Sequence, residues 1–290
     1  MTSLSIHSTT TLNNGVAMPL LGLGVFQLPQ EDTAAIVSHA LSVGYRHIDT
    51  AKVYGNEEGV GEGIRRSSVP RDEIFVTTKL WNADQGYASA LDAIDGSLSR
   101  LGLDYVDLYL IHWPMPKVGK QLESWHALER ILEQGKARAI GVCNNTPIHL
   151  QQLLDKSDVV PAVNQIELHP HLPQYVTRAF DRYHGIVTES WSPLGGTPHR
   201  GINGGERRNV LLSDPIVTQT AIKHEVSPAQ VLIRWHLQNG LVVIPKSANP
   251  ERVTQNTDVF GFELDGEDMV LLDRLNDGQR VSRHPDDVNQ

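Results

Sequence analysis

The chain has almost no cysteine. Cys143 is the only one among 290 residues, so neither an intrachain disulfide nor a Cys-x-x-Cys redox pair nor a multi-cysteine zinc site can be built. It also lacks any dense Lys/Arg block, and its formal charge is −9, which argues against nonspecific binding to nucleic acid. The opening MTSLSIHSTT has neither the basic start nor the apolar stretch of a secretory signal, and no apolar run approaches the length that spans a bilayer. These absences predict a soluble protein of the reducing cytoplasm, with no nucleic-acid or membrane partner. No Pro/Gly/Ser-rich linker interrupts the chain, which predicts one domain over residues 1–290. The composition, 40% hydrophobic and 20% charged, is that of a globular protein able to bury a core.

What is present is alternation. LSIHSTTTL and VAMPLLGLGV flank Asn13-Asn14-Gly15, a turn signal that predicts a hairpin capping one end of something larger. Short apolar strands follow at 21–25, 47–51, 74–80, 106–112, 137–143, 162–167, 187–193 and 241–245. Between them, 32–44, 88–102, 121–135 and 228–240 carry apolar residues at helical spacing and end in glycine. The recurrence across the middle of the chain predicts a (β/α)8 TIM barrel, an α/β fold, rather than two Rossmann-like halves, with the hairpin at its bottom.

Polar residues fall at the ends of these strands: Asp49, Lys79, His112, Cys143, Gln165 and Trp191 follow one another in steps of roughly 22 to 33 residues, about one β-α unit each. In a parallel barrel these ends converge on one rim. Asp49 and Lys79 lie in apolar segments, so each requires a partner, and each can serve the other. A structural ion pair is the plain alternative. Tyr54 leaves the same strand as Asp49 and brings a phenol to that rim, where a neighbouring ammonium lowers its pKa toward a usable acid. His112, ahead of Trp113-Pro114, stands where an imidazole can hold a substrate oxygen.

The stretch GYRHIDTAKVYGNEEGVGEGI, then VTTKLW, LGLDYVDLYLIHWP, GKARAIGV, NQIELHP, SPLG and IPKS resemble the aldo-keto reductases in order and spacing over nearly the whole chain. The resemblance implies a barrel that binds NADPH without a Rossmann fold, a catalytic tetrad at Asp49, Tyr54, Lys79 and His112, and reduction of an aldehyde or ketone to the alcohol. Two glycine clusters, Gly22-Leu23-Gly24 and Gly59-Val60-Gly61-Glu62-Gly63, lack the full G-x-G-x-x-G spacing and read as turn and helix packing. The resemblance instead stacks the nicotinamide on Trp191, gives its carboxamide to Asn144 and Gln165, lines the cofactor with Gly24, Val25, Asp49, Ser192 and Leu194, and sets Gln255 and Asn256 near the adenine. Lys246, Ser247, Ala248 and Arg252 gather at the start of a helix whose free N–H groups attract anions, which favours NADPH over NADH.

Where relatives commonly read Gly-Val-Ser-Asn-Phe, this chain has Gly141-Val142-Cys143-Asn144-Asn145, which weakens one hydroxyl contact to the carboxamide. Phe26, Val53, Tyr54, Trp81, His112 and Trp113 frame the expected substrate pocket, with segments 114–120 and 195–209 and the C-terminal tail. Arg200, Arg207 and Arg208 lie in the glycine-rich 195–209 stretch. The tail NDGQRVSRHPDDVNQ resembles that of bacterial 2,5-diketo-D-gluconate reductases, so keto-sugar acids, α-dicarbonyls and other small carbonyls are the expected substrates, acted on by a monomer. Two rivals remain: an NADPH-binding redox sensor without catalysis, and a metal-dependent barrel hydrolase using His112, His169 and His171. A proline separates the last two, a poor chelating arrangement, and the expectation is no metal.

Overall fold

A computed structural model describes residues 4–196 and 210–290; Arg200, Arg207 and Arg208 lie outside the described residues. The chain opens with the hairpin β1 (Thr9–Thr11) and β2 (Ala17–Pro19), paired antiparallel. Its turn closes with Gly15 N–H donating to Leu12 O at 2.9 Å, and only Gly15 of the Asn-Asn-Gly run takes a positive φ, 88°. The asparagines have a different task. Asn13 Nδ2 donates to Pro161 O and Asn14 Nδ2 to Arg138 O, so the turn is stitched across the entry points of two barrel strands. Met18 and Leu12 are buried beneath it.

Eight parallel strands follow in sequential order: β3 (Leu23–Gly24), β4 (His47–Asp49), β5 (Phe75–Leu80), β6 (Val106–Ile111), β7 (Ala137–Cys143), β8 (Val163–Glu167), β9 (Val187–Trp191) and β10 (Val242–Val243). The two edges meet, because Leu21 bridges Val243 in parallel, Gly22 N–H donates to Val243 O, Val243 N–H to Leu20 O and Gly24 N–H to Pro245 O. The predicted (β/α)8 barrel is therefore present and closed. Several strands are shorter than the sequence reading. The stretch 187–193 stops at Trp191 because Ser192 takes a φ of 52° and Pro193 has no N–H to give the ladder.

The helices are α1 (Gln30–Ser42), α2 (Glu57–Arg66), α3 (Tyr87–Leu101), α4 (Gln121–Glu133), α5 (Pro147–Leu154), α6 (Tyr175–Tyr183), α7 (Pro215–Lys223), α8 (Pro228–Gln238), α9 (Pro250–Gln255) and α10 (Gly266–Asp273). None of the described helices is long and apolar enough to cross a membrane. At the end of α3, Gly102 takes a φ of 65°, its N–H donates to the Ser99 carbonyl and the Leu103 N–H to the Leu98 carbonyl, closing the last turn as the glycine's place after the apolar repeat predicts. The second glycine cluster is packing, not phosphate binding. A Cβ at Gly59 or Gly63 would strike Thr33 or Val37 of α1, and one at Gly61 would stand 1.9 Å from the Leu101 carbonyl oxygen of α3. Those glycines let three helices approach along their backbones around the early strands.

Candidate active site

At the C-terminal rim Lys79 is fully buried and ends the inward face of β5. Its ammonium donates to both oxygens of Asp49 (2.7 and 2.8 Å) and to the Thr50 carbonyl (2.8 Å), with the Tyr54 hydroxyl at 3.5 Å. All three N–H groups are thus taken by Asp49 and by the Thr50 carbonyl just past β4, and the phenol stands at a longer distance from the same ammonium. Burial alone would discharge Lys79, but the Asp49 carboxylate outweighs it and holds the ammonium charged above its ordinary range. Burial pushes the Asp49 carboxyl upward, against the pull of Lys79 and the Gln165 amide.

Tyr54 is placed by its loop. A single helical turn over Lys52–Tyr54 ends at Gly55, and Asn56 pins the turn by accepting from Thr50 Oγ1 and donating to the Val25 and Leu28 carbonyls. The same asparagine draws the 25–28 loop in, so Phe26 lies 4.9 Å from the Tyr54 ring. Burial pushes the phenol up to about 12, with Lys79 pulling the other way and Asp49 and Cys143 adding to the rise. The expected lowering by Lys79 is real in sign but smaller than the cost of desolvating a phenolate. His112 sits at right angles to Tyr54, ring centroids 5.8 Å apart, and burial followed by the nearby Lys79 charge holds its pKa well below the usual value. It is a neutral imidazole, and its Nδ1 has no hydrogen-bond partner among the described residues. Neutral histidine can donate to or accept from a substrate oxygen without competing for the charge of Lys79.

Around these groups the rim is apolar. Phe26 is 48% exposed and Val53 43%, and Trp81 packs edge-on against His112 with ring centroids 5.3 Å apart while the Trp113 ring lies nearly parallel to the imidazole at 6.4 Å. The C-terminal tail crosses this rim. Val281 and Ser282 N–H groups donate to the Glu167 carboxylate, Lys117 N–H reaches Asn289 Oδ1, and Asn82 Nδ2 donates to the Gln290 carbonyl. His169 and His171 turn toward Glu167 (3.2 Å) and Asp277 (3.1 Å), and among the described residues no group of three or more His, Cys, Asp or Glu is set to hold a metal ion.

The remaining strand ends carry the positions read as cofactor ligands. Asn144, at a φ of 60°, donates to the His112 carbonyl and accepts from Trp191 Nε1, both at 2.9 Å, which fixes the half-buried indole. Gln165 donates from Nε2 to Asp49 (2.7 Å) and Glu189 (2.9 Å), and its Oε1 faces Cys143 Sγ at 3.8 Å. Gly24 and Val25 are buried beside the strand end, and Ser192 and Leu194 are half-buried. Beyond β10, Lys246 and Ser247 are half-buried, Ala248, Arg252 and Gln255 exposed and Asn256 buried. One expectation is corrected here: the N–H groups of Glu251 and Arg252 are not free, because the Asn249 side chain caps both. Lys246, in contrast, has no acidic partner among the described residues, and burial lowers its pKa. A partly dehydrated cation of this kind suits an anionic group.

Residues 20–277 match the Aldo/keto reductase family. The chain belongs to that family. It is 55% identical over 280 residues to morphine 6-dehydrogenase of Pseudomonas putida, an alignment covering 96% of this chain and 94% of that one. It is 47% identical over 285 residues to glyoxal reductase of Bacillus subtilis, covering 98% of each. Among solved structures it resembles a Bombyx mori aldo-keto reductase in complex with NADP, with a TM-score of 0.87 and 35% identity over 97% of this chain and 96% of the other.

Within this aldo-keto reductase, strand-end spacing pointed to Asp49, Lys79 and His112, the loop after the Asp49 strand pointed to Tyr54, and the barrel brings the four side chains together. Sequence reasoning missed Glu189, buried inside the barrel, and Glu167, which holds the tail. Each alternates correctly with outward neighbours on its strand, and a carboxylate at an inward position was the signal available. It also missed Asn56, whose four-atom side chain decides where Tyr54 and Phe26 meet.

Proposed function

We propose that this protein reduces small aldehydes and ketones, α-dicarbonyls foremost and keto-sugar acids among the alternatives, to alcohols with NADPH as hydride source. The observation that carries the reading is the Tyr54 hydroxyl held 3.5 Å from a buried ammonium whose own charge is secured by Asp49. Similarity to glyoxal reductase supports the dicarbonyl class.

The residues fit the cofactor. Trp191, fixed through its Nε1, offers an indole face, Asn144, Gly24, Val25, Ser192 and Leu194 surround it, and Lys246, Ser247, Ala248, Arg252, Gln255 and Asn256 supply the charged and polar end, with Lys246 and Arg252 suited to a 2′-phosphate. When bound, NADPH supplies the hydride that the carbonyl carbon takes up. As negative charge grows on the carbonyl oxygen, the Tyr54 hydroxyl gives it a proton, and the Lys79 ammonium stabilises the phenolate left behind. Asp49 keeps Lys79 charged and immobile. The neutral His112, beside the phenol, orients the oxygen, and Phe26, Val53, Trp81 and Trp113 exclude water from the reacting carbonyl.

We further place the chain as a monomeric barrel domain, residues 1–290, of the reducing cytosol; the single cysteine and the excess of acidic residues support this setting. The deciding experiment follows NADPH consumption with glyoxal, methylglyoxal and a panel of ketones. Tyr54→Phe is expected to bind NADPH as the parent does and to lose about 10²- to 10⁴-fold in kcat. Undiminished turnover in that variant would remove Tyr54 as the acid.

A further inference from the structure

Beneath the tetrad a second carboxyl has no charged counter-ion of its own among the described residues. Glu189 points from β9 into the barrel and is fully buried. Its Oε2 accepts from Gln165 Nε2 at 2.9 Å, and the same nitrogen donates to Asp49 Oδ2 at 2.7 Å, so one amide bridges two acids. Only one cation serves them. Lys79 spends its N–H groups on both Asp49 oxygens and the Thr50 carbonyl. Among the described residues Glu189 Oε1 has no hydrogen-bond partner, and His47 Nε2 stands 3.6 Å from it, longer than a good hydrogen bond.

The ionisable groups around Glu189 are His47 and Asp49 on β4, Lys79 on β5 and Cys143 on β7; its registered neighbour on β10 is Val242. His47 is not a counter-charge, because burial and Lys79 hold its pKa down to about 3. Two carboxylates sharing one amide and one ammonium in a dry interior cannot both ionise cheaply, and Asp49 has the ammonium. Burial, with Asp49 adding, accordingly pushes the Glu189 carboxyl up to about 8, against Gln165 and Lys79.

We propose that Glu189 is a positioning residue of the reductase: as the neutral acid, with its proton on the Oε1 facing His47, it holds the Gln165 amide against Asp49 and leaves Lys79 opposed by one carboxylate rather than two. Ionisation of Glu189 adds a second negative charge to the same interior. That charge disfavours the Tyr54 phenolate, makes the phenol a weaker acid, and slows the proton transfer to the substrate oxygen. A Gln165 amide shared with a carboxylate on each side also loses its preference for Asp49.

This inference rests on the reductase reading, so its test has one arm that needs no turnover. In protein labelled with carbon-13 at the glutamate side-chain carboxyls, one resonance is expected to titrate far above the ordinary glutamate range, and to be missing from Glu189→Gln. In the kinetic arm kcat is compared within each protein at pH 7 and at pH 9. The parent is expected to lose about tenfold over that interval, whereas Glu189→Gln, which cannot ionise, loses less than about twofold. A merely structural Glu189 would leave that ratio unchanged. Glutamate signals that all titrate in the ordinary range, or pH profiles that superimpose, overturn the proposal. If Glu189→Gln does not fold, the titration of the parent alone decides, since a high-titrating glutamate supports the neutral acid and its absence removes it. Failure of carbonyl reduction with the high-titrating signal intact would instead strike the reductase reading.

Discussion

Replacing Lys79 by methionine separates the structural and chemical halves of the buried ion pair. The substitution keeps most of the side-chain volume but removes the charge, leaving Asp49, 2% exposed, with the Gln165 amide as its remaining donor. Breaking a buried pair from one side costs about 3–5 kcal/mol, because the orphaned carboxylate stays in a medium that cannot solvate it. For a chain of this length that lowers Tm by roughly 5 to 8 °C. The sign with pH follows from Asp49. Burial already pushes its folded pKa upward, and loss of Lys79 raises it further above the unfolded value of about 3.9. The folded state then favours the protonated acid, so the stability it contributes is present below about pH 4 and is lost as pH rises through the new folded value. Lys79→Met should therefore melt lowest at alkaline pH and recover toward pH 5. Asp49→Asn combined with Lys79→Met removes both charges, and is expected to regain most of the Tm and to lose the pH dependence. Turnover should not return, since the Tyr54 phenol, already pushed up to about 12, has no ammonium beside it; a loss of about 10²- to 10⁴-fold is expected in both proteins. The assay is thermal unfolding by circular dichroism across pH, paired with NADPH oxidation. A Lys79→Met protein that melts with the parent at pH 8, or a double variant that regains turnover, refutes the assignment of Lys79 to the chemistry of Tyr54.

Other outcomes follow from the same geometry. Arg252→Ala, at the exposed start of α9, should weaken NADPH about tenfold or more while NADH binding moves little, as read by fluorescence titration; equal losses would argue against a 2′-phosphate contact. Gly61→Ala places a methyl where the Leu101 carbonyl oxygen lies and should cost on the order of 3 kcal/mol or prevent folding, whereas Gly119→Ala, with open space about it but a φ of 74°, should cost about 1 kcal/mol in chemical denaturation. Asp181, buried among Asn164 and Thr188, has its carboxyl pushed up to about 7 by burial. Its stabilising contribution is full below the unfolded pKa near 3.9 and lost as pH rises through about 7, so Asp181→Asn should flatten the stability curve over that window and gain on the parent at pH 8. A parallel pair of curves would show that Asp181 is ionised in the folded protein.

The periodicity of the chain carried the fold. Alternating apolar strands and helices, glycines just past the helix ends, and the spacing of Asp49, Lys79, His112, Cys143, Gln165 and Trp191 are local records, because secondary structure repeats every two or 3.6 residues and a β-α unit has a narrow length. Those records were enough to put four reactive groups on one rim. They were also enough to refuse the glycine-rich 59–63 stretch as a phosphate loop, although which helix each glycine admits was not written there.

Tertiary structure decided the charge states and the partners. Pattern alone gave Lys79 and Tyr54 adjacency, but the net acidity of the phenol depends on how completely water is removed, a property of all eight strands at once. Gln165, which the sequence offers as a cofactor ligand, also bridges Asp49 and Glu189 in the folded chain, residues 116 and 24 positions away, and no local pattern showed that bridge. Asn249 silences helix N–H groups that composition left open, and Asn56 sets the phenol by reaching back to the loop before α1. The sequence by itself determined the barrel and the list of groups on its rim, since both follow from short-range repeats. Only the closed barrel determined which of those groups is charged, because dielectric surroundings and hydrogen-bond partners are supplied by segments that no local pattern connects.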